Sequence, residues 1–404
     1  RQQLSVFSPD DNQTNEYYAR LEKTLPTGTE MSVQISDTRL WSNSTFVSKN
    51  PSHDAELSFN VKQPVGRNAF GYADRMNISM TKLAVENAGL DMRDRLEALI
   101  AETEKAYLGL VHAKQAKGIY DEMIGKARKL YESDKKNFDI GLIEKVDLLA
   151  SEANLARLEA EALIVKNNYE ISEENLKLVM NMDENTRIIP LAGSGPPPLE
   201  MDLQDCLKEA FEKRRDYRKA ERDVRLKGIA LKVKDNMRWP EIDLTASMAM
   251  NGLEGRFAKA AKKITVLDNT CYYAGVEVQV PIENKEAMSE YDKAKYEKEK
   301  SLVGVKRTER AIITEVANAF SSVTAFGASR ILIRKAVDLH SSKLEEEEKR
   351  FSYGRSSTKR IIDYQQDLLR AKLEDARFVL DHNKAKVDMD RVMNVILDKY
   401  EDLL

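Results

Sequence analysis

Four short segments of the chain alternate between apolar and polar residues, which is the period-two pattern of strands with one apolar face. In the first segment, Met31, Val33 and Ile35 share one face, and polar residues share the other. The segments form two pairs, and a long polar loop joins the members of each pair. We predict strands at residues 29–37, 56–66, 241–250 and 274–284.

Each strand pair is followed by a segment that predicts a very long helix. Residues 68–137 and 285–349 contain no proline, and their few glycines are isolated. At a rise of 1.5 Å per residue, helices of these lengths would span roughly 105 Å and 95 Å. The mean helix of a globular protein has only about 11 residues. The chain is therefore predicted to be mainly α, with two strand pairs.

A helix that runs back is predicted at residues 144–182, where apolar residues follow alternating steps of three and four. That spacing is the a/d seam of a coiled coil, and only Ser172 interrupts it. The seam consists of Leu155, Leu158, Ala162, Val165, Tyr169, Ser172, Leu176 and Val179.

The two halves of the chain share a sequence pattern that suggests an internal two-fold repeat. Phe351 follows Phe138 by 213 residues, and Gly354 follows Gly141 by the same number. Each Phe stands three residues before its Gly, where a long helix is predicted to stop and turn back. Glycine suits such a turn because it adopts positive φ without strain. The pattern is typical of a duplicated structural unit.

Between the two halves lies a linker rich in proline and glycine. Asp202 or Asp205 can cap a short helix that ends near Lys213, and a longer helix is predicted at residues 216–236. We therefore divide the chain into an N-terminal segment with the first strand pair (1–66), a first long helical hairpin (67–183), the linker with its helix (184–236), a second strand pair (237–283) and a second long helical hairpin (284–404).

The four predicted strands have the length needed to cross a bilayer in a tilted barrel. Four strands cannot close a barrel, because the smallest known barrels have about eight. Open strand edges inside lipid have no water to pair with. If these are membrane strands, the barrel is shared between chains, and three copies would give a 12-stranded transmembrane β-barrel.

The order of these features resembles the TolC-like outer-membrane efflux family. The resemblance rests on "LPTGTEMSVQISDTRL" and "VKQPVG" in the first strand pair, "NMRWPEIDLTASMAMNG" in the second, and the two glycine turns. It implies a homotrimer in which a β-barrel in the outer membrane continues as a coiled-coil helical barrel in the periplasm. It also implies a passive exit duct of a tripartite efflux pump or type I secretion system, and therefore no enzyme activity.

The resemblance further implies partners: a periplasmic adaptor (membrane fusion) protein, an inner-membrane transporter and outer-membrane lipid. The adaptor would contact the two turns. The first turn, Gly141-Leu142-Ile143, keeps the Gly-Leu pattern of the family, whereas the second turn, Gly354-Arg355-Ser356, is more polar.

Three charged residues near the turns are candidates for the gate and its selectivity. Asp363 stands nine residues after Gly354, where the family often has an acid, and three copies around an axis would favour cations. Asp147 stands six residues after Gly141, and Arg360 holds the equivalent place after Gly354. We hypothesise that Arg360 pairs with Asp147 of the neighbouring hairpin and holds the entrance shut. A solvated helix carboxylate is an equally good interpretation of either Asp.

The composition of the chain argues against several other functions. Charged residues make up 32% of the chain and the net charge is -3, so there is no basic excess of the kind that nucleic acid requires. No apolar run approaches the roughly 18 residues of a membrane helix. The two cysteines, Cys206 and Cys271, are predicted not to pair. The four histidines are scattered, so we expect no metal and no other cofactor.

A periplasmic coiled-coil adaptor or structural protein without a pore is the alternative function. Such a protein would have compact soluble β-domains rather than two strand pairs with long polar loops. The strand pattern therefore favours the channel.

Overall fold

The computed structural model describes residues 11–43, 48–183, 185–191, 201–266 and 269–400. The chain divides into two compact units. Unit 1 consists of Arg1–Asn87 and Ala220–Val305, and unit 2 consists of Ala88–Lys219 and Lys306–Leu404. Residues 192–200 of the predicted linker lie outside the described residues.

Unit 1 contains one antiparallel sheet in which sequence neighbours are also neighbours in space. All four predicted strands are present, and each loop between paired strands is shorter than predicted. The strands are β1 (Asn12–Thr24), β2 (Glu30–Ser42), β3 (Ser52–Pro64), β4 (Glu241–Glu254) and β5 (Thr270–Gln279).

The predicted count of four strands was one too low, because β1 was missed. Its sequence, NQTNEYYARLEKT, alternates clearly only at Tyr17, Ala19 and Leu21, and polar residues surround this short run. Pairing with β2 decides its structure: β1 pairs with β2 along its whole length, from Asn12 opposite Ser42 to Thr24 opposite Glu30. A strand that depends on a neighbouring strand in this way leaves only a weak signal in its own sequence.

The helices agree closely with the predicted segments. The two long helices, α1 and α6, have 68 residues each, and the two helices that run back, α2 and α7, have 36 each. In both pairs the bounds differ by 213 residues. The helices are α1 (Tyr72–Asp139), α2 (Lys145–Met180), α3 (Leu203–Lys213), α4 (Arg215–Asn236), α5 (Phe257–Val266), α6 (Lys285–Ser352), α7 (Thr358–Met393) and α8 (Ile396–Lys399).

Helix α5 lies inside the predicted polar loop between β4 and β5, so the prediction of a loop there was wrong. Ala260 and Ile264, four residues apart, are both buried against the sheet. Gly252 of β4 makes this possible, because a Cβ at that position would lie 2.3 Å from the carbonyl oxygen of Ala260. The lysines around these two residues made the segment look like a loop.

Unit 2 contains three apolar clusters in its described residues, of which two are large and the third joins Ala101, Val387 and Ile396. In one large cluster, Leu158 of α2 packs with Leu344 of α6 and with Ile361 and Leu368 of α7. Leu158 belongs to the predicted coiled-coil seam, and none of the eight seam residues is exposed. In the other large cluster, α3 packs against α6 and α7 through residues that include Cys206, Ile312 and Met389.

A buried carboxylate joins three helix ends in unit 2. Glu97 of α1 accepts hydrogen bonds from the Asn394 side chain (3.1 Å) and from the backbone N–H of Ile396 (2.9 Å). It also forms an ion pair with Arg215 at the start of α4. A buried charge needs such partners, because an unpaired one is costly.

One window of α6 passes the test of length and composition for a membrane helix, with a mean hydropathy of 1.2 over 18 residues. The sequence-based expectation that no apolar run approaches this length was therefore wrong for this window. Only 11% of the window is buried. Cys206 and Cys271 are both free thiols, as predicted.

Candidate functional site

The sheet of unit 1 has two faces of opposite chemistry. Residues directly opposite each other in an antiparallel pair point to the same side, so the register assigns each side chain to a face. The first face carries large apolar side chains: Leu21 on β1, Val33 and Ile35 on β2, Leu57, Phe59 and Val61 on β3, Leu244, Met248 and Met250 on β4, and Tyr272, Val276 and Val278 on β5.

The opposite face is polar, and most of its charged residues are acidic. Its carboxylates in the described strands are Glu16, Glu22, Glu30, Asp54, Glu56, Glu241, Asp243 and Glu277, and its cations are Arg20 and Lys62. Lys62 Nζ lies 2.7 Å from Asp243 Oδ2. Carboxylates in such excess would attract cations to any aqueous space that this face lines.

On the central strands β2 to β4, exposure on the two faces is the reverse of that in a water-soluble sheet, whereas on β1 and β5 the side chains of both faces are largely exposed. On the apolar face, Phe59 is 40% exposed and Leu244 is 45% exposed. On the polar face, Ser32 is 8% exposed, Ser58 9% and Asp243 2%. A water-soluble protein buries its large apolar residues, and exposed apolar patches of this extent mark a surface that contacts protein or lipid.

The apolar face has the height of a membrane-spanning band. On β4 it extends from Ile242 to Met250, which is about 26 Å along the strand at about 3.3 Å per residue. Membrane β-barrels carry a band of about 25 Å, flanked by aromatic residues. The chain has two tryptophans. Trp41 lies near the end of β2, and Trp239 precedes the start of β4 at the opposite end of the sheet.

The two helical hairpins of unit 2 turn with the same backbone geometry. Gly141 has φ 78° and Gly354 has φ 71°. The N–H of each glycine donates to the carbonyl oxygen of the Phe three residues earlier, at 2.9 Å in both turns. An L-residue with a side chain is strained at such φ values. This explains why glycine stands at both turns.

The two turns present different surfaces, as the sequence predicts. Around the first turn, Ile140, Leu142 and Val146 are each about two-thirds or more exposed. Ile143 is half-buried. At the second turn Arg355 is exposed and Ser356 is half-buried, with its hydroxyl donating to Glu347 at 2.6 Å. The first turn thus carries three exposed aliphatic side chains, whereas the second carries polar residues beside one exposed aromatic side chain, Tyr353.

The structure does not bring Arg360 to Asp147 within the chain. Arg360 Nη1 instead lies 3.3 Å from Oε1 of Glu347, a buried acid on α6. The Ser356 hydroxyl and the Arg360 guanidinium lower the pKa of Glu347 below its ordinary value of 4.5. Within the chain this carboxylate, thirteen residues before Arg360, is the partner across the turn, and the pairing of Arg360 with Asp147 of a neighbouring hairpin stays a prediction. Asp363 is exposed on α7.

A buried carboxyl near the first turn was not predicted from the sequence. Asp134 of α1 is 0% exposed. Its Oδ1 accepts a hydrogen bond from the Thr358 hydroxyl at 3.2 Å, and its Oδ2 has no hydrogen-bond partner in the described part of the chain. Burial raises the pKa of Asp134, and the negative charge of Asp147 adds to the rise, while the Ser151 and Thr358 hydroxyls oppose it.

Asp134 and Glu347 are separated by 213 residues, the spacing that also relates the two turns. Asp147 and Arg360 are separated by the same number. The second hairpin therefore pairs its buried acid with a cation, whereas the first places a second acid near its own. This spacing was the signal that could have identified both acids from the sequence.

Comparison with known proteins supports the same fold, and one family profile matches part of the chain. The outer membrane efflux protein family profile matches residues 206–394. No curated protein sequence matches the chain. Among solved structures, the CmeC outer membrane channel of Campylobacter jejuni superimposes with a TM-score of 0.71 at 14% identity, covering 97% of this chain and 80% of that one.

Two further structures are similar. The outer membrane protein VceC of Vibrio cholerae has a TM-score of 0.72 at 12% identity, covering 95% of this chain and 87% of that one. The open-state MtrE outer membrane channel of Neisseria gonorrhoeae has a TM-score of 0.69 at 16% identity, covering 96% of this chain and 80% of that one. These likenesses concern the fold.

Proposed function

We propose that this chain, a member of the outer membrane efflux protein family, is the exit duct of a tripartite efflux pump or type I secretion system. The family consists of passive channels and not enzymes. In this proposal the sheet of unit 1 lies in the outer membrane, and the helical hairpins of unit 2 lie in the periplasm.

The reversed exposure of the sheet is the observation that carries the proposal. Large apolar residues such as Phe59 face outward without cover, while small polar residues such as Ser58 on the other face are nearly inaccessible. In contact with lipid, exposure of the apolar side chains carries no free-energy cost. The polar face is suited to line a water-filled lumen. A periplasmic adaptor without a pore would leave the same apolar face in water.

The native thiol of Cys271 offers a direct test. Cys271 is exposed and lies opposite Ala249 on the polar face of the sheet. We expect purified protein in planar bilayers to form cation-preferring pores, and a charged thiol reagent to lower their conductance. The Cys271→Ser variant should conduct and resist the reagent. Absence of pores from folded protein would refute the proposal.

The free edges of the sheet determine how copies could share a barrel. Because all pairs are antiparallel, β1 and β5 run in the same direction. Copies can pair antiparallel only when each contributes an even number of strands. A trimer with a 12-stranded barrel would therefore use β2 to β5, and β1 would have to leave the edge of β2.

A disulfide between β1 and β2 tests this arrangement. Ala19 and Ile35 are opposite each other, so cysteines at both positions, in a chain whose native cysteines are replaced by serine, would lock β1 in place. The 12-stranded trimer predicts that the oxidised chain stays monomeric and that the reduced chain forms trimers. Trimers of the oxidised chain would contradict the 12-stranded barrel.

The helical turns are the proposed contact for a periplasmic adaptor, which would link the channel to an inner-membrane transporter. The exposed apolar residues beside Gly141 favour the first turn as the main contact. Leu142→Glu should then weaken binding of an adaptor's helical hairpin, whereas Arg355→Glu should have a smaller effect. Equal binding by both variants would place the contact elsewhere.

A further inference from the structure

Helix α5 is an amphipathic helix that lies on the apolar face of the sheet. Ala260 and Ile264 contact the sheet beside Ala55 and Met250, and all of the sheet residues in this cluster belong to the apolar face. The ring of Phe257 contacts the edge of the His53 ring, with 6.4 Å between ring centroids. Phe257 is still about half exposed. The helix therefore sits on the side of the sheet that the proposed function places against lipid.

The cations of α5 are gathered on one flank. Arg256 directly precedes α5, and at about 100° per residue its position and those of Lys259, Lys262 and Lys263 fall within a sector of about 120°. The residues on the opposite flank are uncharged. Lys263 forms an ion pair with Glu254 at 2.6 Å. Within the described residues, the other three cations have no ion pair and are exposed.

The place of α5 along the strands fits the level of the lipid headgroups. It connects β4 to β5 at the end of the sheet where Trp41 lies, and its buried side chains cover that end of the apolar band at Met248 and Met250. Because Ala260 and Ile264 are already buried against the sheet, α5 would bind a bilayer surface through its cationic flank, which attracts anionic headgroups, and through the exposed side chains of Phe257 and Val266.

We propose that α5 is an interfacial anchor that binds the phosphate headgroups of an anionic bilayer leaflet. The partner is the lipid surface itself, and the anchor fixes the depth at which the sheet sits. The inference rests on the proposed function, because it takes the apolar face of the sheet to be the lipid face.

The test counts the lipids that the full chain retains in detergent, by native mass spectrometry. The probes are phosphatidylglycerol and phosphatidylcholine, which differ in headgroup charge. We expect the parent to prefer phosphatidylglycerol at least tenfold. The triple variant Arg256→Gln, Lys259→Gln, Lys262→Gln should lose at least nine-tenths of that preference. The charge-conserving triple variant Arg256→Lys, Lys259→Arg, Lys262→Arg should retain it.

A matched control removes three exposed lysines from α4 and α6, namely Lys232, Lys295 and Lys300. Their replacement by glutamine changes the net charge equally and should leave the lipid preference intact. Inorganic phosphate at the lipid concentration should not compete, because the site is a surface and not a pocket for one phosphate. Loss of preference in the control, or competition by phosphate, would overturn the inference.

Conductance in planar bilayers separates this inference from the proposed function. If the parent forms pores but shows no headgroup preference, the anchor is refuted and the channel stands. If the folded parent forms no pores, the channel is refuted, and the anchor is refuted with it. Pores together with a preference that only the α5 variant loses support both.

Discussion

Replacing Asp134 by asparagine should stabilise the packing of the two hairpins at neutral pH. Asp134 is fully buried, and one of its carboxylate oxygens has no hydrogen-bond partner in the described part of the chain. Burial raises its pKa above the ordinary value of 3.8, so the folded chain binds this proton more tightly than the unfolded chain. Stability therefore falls as the pH rises from about 3.8 through the raised pKa.

The size of the effect follows from the unpaired oxygen. A buried polar group without a partner costs about 1–3 kcal/mol. The Asp134→Asn substitution would remove the charge but would put an unpaired amide in the same place, so part of that cost remains. We therefore expect a gain of about 1 kcal/mol above the titration window, which is roughly fivefold in the equilibrium for local opening. The gain should shrink toward acid pH.

Hydrogen exchange of the full chain in detergent measures this opening. Mass spectrometry would follow peptides around the two turns from about pH 4, near the ordinary pKa of an Asp, to pH 8. Exchange in the Asp134→Asn variant should be slower than in the parent at pH 8, once intrinsic rates are corrected for pH. Faster exchange at pH 8, or a difference that does not depend on pH, would refute the reasoning.

Glu347→Gln is the matched control, because Glu347 holds the equivalent place in the second hairpin. Its pKa is lowered by Ser356 and Arg360, so its charge contributes stability above the ordinary value of 4.5, and that stability is lost as the pH falls through the lowered pKa. The variant should exchange faster than the parent from pH 5 to pH 8, which is the opposite sign from Asp134→Asn.

Three further predictions concern the turns. Arg360→Glu places a negative charge beside Glu347, so it should loosen the second turn and raise single-channel conductance in planar bilayers. Unchanged conductance would show that this ion pair does not contribute to the gate. Asp363→Asn should weaken cation preference and block by multivalent cations, and unaltered reversal potentials would count against an acidic ring. Gly354→Ala should lower the free energy of unfolding by about 1–2 kcal/mol, because alanine is strained at positive φ. Gly125 lies inside α1 with no atom near the added Cβ, so Gly125→Ala should raise the free energy of unfolding by about 0.5–1 kcal/mol. Equal exchange rates at the turn in these two variants would show that φ does not matter there.

Long-period patterns in the sequence predicted most of the fold. The proline-free runs, the coiled-coil seam through Leu158 and the glycines at both turns depend on local chemistry, so each left a clear signal. Strand β1 and helix α5 left weak signals, because pairing with β2 and contact with the sheet decide their structure. The contact of Arg360 with Glu347 was not predicted for a similar reason: which acid is nearest across a turn depends on packing.

Reactivity of neighbouring strand positions tests most directly the claim that one face of the sheet lines water and the other meets lipid. In a chain without native cysteines, single cysteines would replace Val33, Gln34, Phe59 and Asn60 in turn; Asn60 is an exposed residue of the polar face. A charged, water-soluble thiol reagent should modify the Gln34→Cys and Asn60→Cys proteins in planar bilayers and lower their conductance, while leaving the Val33→Cys and Phe59→Cys proteins unchanged. Equal reactivity at all four positions, or block only at Val33→Cys and Phe59→Cys, would contradict the account.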